Sequence, residues 1–70
     1  MVHRFNDVPD VYYICDRHTK KYYCGIGIPE SYNFFIKQKY HSNTYKSIDE
    51  AQKIIDGVKN VILRNRLVVV

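Results

Sequence analysis

Two runs of β-branched and aromatic residues stand near the start of the chain, at positions 11–17 and 22–28. That content is what β-strands favour. They predict a hairpin closed by His18, Thr19, Lys20 and Lys21. With no Gly or Asn in that loop, a two-residue primed turn is disfavoured and four residues fit better. A loop centred on Thr19 and Lys20 sets Cys15 directly across from Cys24. Pro29, Glu30 and Ser31 end the second run, and positions 32–41 read as a third strand. Ser42 and Asn43 then supply a turn.

Helical periodicity begins at Ser47. Ser47 and Glu50 make a capping box, Asp49 and Glu50 suit the positive end of the helix dipole, and Ala51, Ile54, Ile55, Val58, Val61 and Ile62 recur as one apolar stripe. This predicts one amphipathic helix running through Gly57. Strands followed by a helix indicate an α+β fold: a small antiparallel sheet of three strands packed on one C-terminal amphipathic helix, with Leu67, Val68, Val69 and Val70 available as a fourth strand. Alternation sorts Val11, Tyr13, Cys15, Tyr22, Cys24, Ile26 and Ile28 onto one face with Phe34, Ile36 and Tyr40, and this face is expected to meet the helix. The opposite face receives Tyr12, Ile14, Asp16, Tyr23, Gly25, Gly27, Phe35, Lys37, Lys39 and His41.

Composition narrows the class. At 70 residues, 46% of them hydrophobic and 26% charged, the chain fits one small folded domain, with positions 1–10 as a polar loop or arm. No apolar run is long enough to span a membrane, and the polar start lacks the hydrophobic region of a signal peptide, so a reducing cytoplasmic setting is expected. Eleven Lys and Arg against seven Asp and Glu give a net charge of +4, which favours an acidic partner.

On the outward face, Tyr12 and Tyr23 offer rings for stacking, and Lys37, Lys39 and His41 offer positive charge. That combination suits a DNA-binding sheet surface, while the bland alternative is an ordinary solvated face. The stretch Tyr45-Lys46-Ser47-Ile48-Asp49-Glu50-Ala51 resembles the strand-to-helix junction of AP2-like modules, including the arm-binding domains of phage integrases. That resemblance implies three strands and a helix, DNA read through the sheet, and contacts from Tyr12, Tyr23, Lys37 and Lys39.

Cys15, His18 and Cys24 supply at most three local zinc ligands, with His3 or His41 required from elsewhere, so neither a metal nor a cofactor is expected. Free thiols packed in the core are favoured over a disulfide. Catalysis is not expected either. No base sits beside the cysteines, and GIGIPES lacks both the third glycine of a dinucleotide fingerprint and the Gly-Lys-Ser/Thr of a P-loop.

Two functions remain: a small basic DNA-binding protein of the kind encoded by phages or mobile elements, or a module or inhibitor that occludes a host protein. In either case Leu67, Val68, Val69 and Val70 must be covered. They are expected to pair between two subunits of a homodimer, the other option being an edge strand within one chain.

Overall fold

The computed structural model describes residues 11–70, so the arm expected over residues 1–10 lies outside the described residues. Four short strands, β1 (Ile14–Asp16), β2 (Lys21–Tyr23), β3 (Phe35–Ile36) and β4 (Leu67–Val69), form one antiparallel sheet in the order β3-β2-β1-β4. Between β3 and β4 come a 3-10 turn (Lys39–His41) and two helices, α1 (Ile48–Asp56) and α2 (Val61–Arg66). The class is α+β, as the order of strands and helix predicts.

The hairpin loop has the expected four residues but sits one position earlier, at 17–20. Lys20 adopts φ 64°, which lets its N–H reach the Asp16 carbonyl at 2.7 Å and close the turn. The register therefore pairs Cys15 with Tyr22 and not with Cys24. Cys24 instead donates its N–H to Phe34 O at 2.7 Å, and both cysteines carry free thiols.

Alternation sorts the strand residues into the right two sets, but the sheet turns them the other way round. Ile14, Tyr23, Phe35 and Leu67 face the core, joined by Tyr45, by Ala51 and Ile55 of α1, by Val58, and by Leu63 of α2. Cys15, Tyr22 and Ile36 lie on the far side. The set containing Asp16 looks too polar to bury, yet Asp16 is 1% exposed because an arginine fifty positions away neutralises it.

The expected single helix is two. Ser47 Oγ accepts the Glu50 N–H at 3.1 Å and a Glu50 carboxylate oxygen accepts the Lys46 N–H at 2.7 Å, so the N-terminal cap of α1 forms. At Gly57 the chain leaves the helix against Ile28, whose Cδ1 would lie 2.7 Å from any Cβ added there. Asn60 then starts α2 by accepting the Leu63 N–H on its side-chain oxygen at 3.1 Å. The break rotates the stripe: Leu63 is fully buried, while Val61 and Ile62 stay exposed.

The second and third strands are shorter than expected. The β2–β3 loop takes residues 24–34, and Lys39–His41 winds into the 3-10 turn. The C-terminal segment takes the within-chain option, pairing Ile14 with Val69, Cys15 with Val68 and Asp16 with Leu67. Tyr13 and Val70 exchange backbone hydrogen bonds of 2.8 and 2.9 Å, which extends that ladder.

Candidate nucleic-acid interface

The five residues expected to form one binding face do not share it. Tyr23 is 2% exposed, packs against Phe35 with ring centroids 5.3 Å apart, and donates its hydroxyl to Ile26 O at 3.1 Å, so it is a core residue with a satisfied polar tip. Tyr12 is half-buried, its backbone bridged to Tyr45 by bonds of 2.7 and 2.8 Å. Lys37 and His41 are exposed. Lys39 is half-buried, its ammonium 4.9 Å from the centre of the Tyr13 ring.

What the fold brings together instead is charge from two separate stretches. The β1–β2 turn carries exposed Arg17, His18 and Lys20, with half-buried Lys21 opening β2. Because Ile36 pairs with Tyr22, β3 ends where β2 begins, and Lys37 emerges beside that turn. Lys20 and Lys39 both act on the Cys15 thiol, pulling its pKa down against the larger effect of burial and the charge of Asp16, which hold it above the ordinary value. Cys15 is therefore a protonated thiol under a basic surface.

Asp16 is the acidic residue among these cations, and it is spoken for. Burial acts to raise its pKa, but hydrogen bonds from the His18 N–H at 2.9 Å, from Arg66 and from Thr19, together with the Arg66 charge, hold it below the usual carboxylate range. Arg66 reaches it with Nη2 2.8 Å from Oδ2 and stacks over Tyr32, 4.6 Å from the ring centre. The other acidic residues among those described lie on the β2–β3 loop (Glu30) and on α1 (Asp49, Glu50 and Asp56). Among the described residues, no acidic residue other than Asp16 lies on the β1–β2 turn, on β3 or on the 3-10 turn, the elements that carry or adjoin Arg17, Lys20, Lys21, Lys37 and Lys39. Two rings on neighbouring elements are partly or largely exposed: Tyr22 of β2, edge-on to Tyr13 at 6.1 Å, and Tyr40, which follows Lys39 in the 3-10 turn and is 88% exposed.

A second feature is apolar. The β2–β3 loop leaves Ile26 fully exposed and Phe34 60% exposed, although the loop is anchored by the Tyr23 hydroxyl on Ile26 O and the Asn43 side-chain amide on Gly25 O. Gly25 permits this close packing: an added Cβ would fall 2.8 Å from the Tyr23 ring and 2.9 Å from Phe34 Cβ.

Among the described residues no group of three His, Cys, Asp or Glu side chains is placed to hold a metal; His3 lies outside them. No helix among them is long and apolar enough to cross a membrane. Comparison with protein-family models, with curated proteins and with solved structures finds no match.

The basic turn is the part of this surface that sequence reasoning passed over. Its signal is present in the run Arg17-His18-Thr19-Lys20-Lys21, where the sequence reading ends the first strand at Arg17 and closes the hairpin with residues 18–21.

Proposed function

We propose that the protein is a non-enzymatic DNA-binding protein that holds the phosphate backbone against its basic hairpin end, with Tyr22 and Tyr40 beside the contact. The observation that carries this reading is the convergence of Arg17, Lys20 and Lys21 with Lys37 and Lys39, while Asp16 is neutralised from within by Arg66. Phosphate contacts of this kind position a duplex without reading its sequence. The resemblance of residues 45–51 to the strand-to-helix junction of AP2-like modules, which bind DNA through a sheet, favours the same class of partner. Tyr23 has no part in this contact, and the Lys37 and Lys39 contribution rests on their place beside the turn.

The exposed Ile26 and Phe34 favour a second reading, a module that occludes an apolar surface of another protein. Fluorescence anisotropy with a labelled duplex separates the two. Reversing charge in a Lys20→Glu/Lys37→Glu variant is expected to abolish binding, while Ile26→Ser/Phe34→Ser leaves it intact. Retained binding in the charge variant removes the proposed site, and absence of duplex binding by the parent leaves the loop as the functional surface.

A further inference from the structure

We infer that β4 is the contact through which two copies of this chain form a two-fold dimer, joining their sheets edge to edge. This goes beyond the DNA-binding reading and does not depend on it.

In the sheet order β3-β2-β1-β4, β4 is closed by β1 on one side and, among the described residues, open on the other. The bonds to β1 use Val70, which exchanges both backbone bonds with Tyr13, and Arg66, whose carbonyl accepts the Arg17 N–H at 2.9 Å. Antiparallel alternation then turns the N–H and C=O of Val69 and the C=O of Leu67 outward. The Leu67 N–H is already taken by Arg64 O.

An open edge is normally blunted by charge, proline or a bulge. Residues 67–69 have no charge and no proline, and their pairing with β1 runs without interruption. The other edge, β3, has two residues and runs directly into Lys37 and the 3-10 turn, so it offers a poor strand to pair with. An uncharged edge needs an uncharged edge of similar length, and the chain itself supplies one: in an antiparallel two-fold pairing each β4 both donates and accepts. Half-buried Val68 and exposed Val70 project on the face away from the core and meet their counterparts across the axis. The product is a continuous eight-stranded sheet. Because the two copies of β4 run antiparallel, the two basic turns lie at opposite ends of it.

Two variants test this by light scattering over a concentration series. The parent is expected at twice the chain mass of 8.4 kDa. Val69→Pro removes an outward N–H and spares the Tyr13–Val70 bonds, so it is expected at the single-chain mass with an unchanged circular-dichroism spectrum. Val68→Lys sets like charges across the axis while leaving the core side alone, and it is expected to be monomeric even if the proline variant fails to fold. A parent that stays at single-chain mass up to high micromolar concentration, or a Val68→Lys variant that remains dimeric, overturns the inference.

Discussion

The guanidinium of Arg66 holds the carboxylate of Asp16 by two hydrogen bonds, Nε to Oδ1 at 3.2 Å and Nη2 to Oδ2 at 2.8 Å, across fifty positions of sequence. This pair ties the first strand to the end of the second helix. It also removes a negative charge from beneath the surface that carries Arg17, Lys20 and Lys21.

The two partners are not equivalent. Arg66 keeps access to water and can be solvated alone, whereas Asp16 is buried, so Arg66→Met is expected to destabilise the fold more than Asp16→Asn does. Because the folded-state pKa of Asp16 is depressed, its contribution is complete above the unfolded carboxylate value of about 3.9 and is lost as pH falls through the folded value below that. Thermal melts should therefore show parent and Asp16→Asn well separated at pH 7 and converging in strong acid. A gap that stays constant down to acid pH would mean that the ion pair is not its source.

Lys20 holds a left-handed backbone conformation, which costs a non-glycine residue about 1 kcal/mol or more. Lys20→Gly is expected to raise the midpoint of urea unfolding while weakening duplex binding. Stability and affinity then move in opposite directions, and a variant improved in both would remove Lys20 from the interface.

At Gly25 the space is already filled by the Tyr23 ring and Phe34 Cβ. Gly25→Ala is expected to cost about 1–3 kcal/mol by overpacking, measured by chemical denaturation. An unchanged midpoint would show that the loop shifts freely and is not anchored there.

Cys15 is buried with a raised pKa, and Cys24 is half-buried. Under native conditions a thiol reagent should label Cys24 first, and Cys15 only at the rate of unfolding. Equal rates for both would contradict the burial of β1 between its neighbours.

Features that depend on short stretches were legible in the sequence. Ser47 and Glu50 announce the start of α1 because a cap is a local device. Alternation separated Ile14 and Tyr23 from Cys15 and Tyr22 because it needs only the parity of position. Which set faces the helices was not legible, since that turns on Arg66 reaching Asp16. The break after α1 was hidden for the same kind of reason: the apolar period continues through Gly57, and the contact made there comes from Ile28, far back in the chain. The basic run 17–21 could be read directly, but its meeting with Lys37 and Lys39 required the strand register.

The most direct test of a phosphate-binding hairpin end is the salt dependence of duplex affinity. If Arg17, Lys20, Lys21, Lys37 and Lys39 each neutralise one phosphate, the logarithm of the association constant should fall against the logarithm of salt concentration with a slope of about −4 to −5. The slope should be shallower for Lys20→Glu/Lys37→Glu. A slope near zero for the parent, or one unchanged by the double substitution, would contradict the assignment of this surface to DNA.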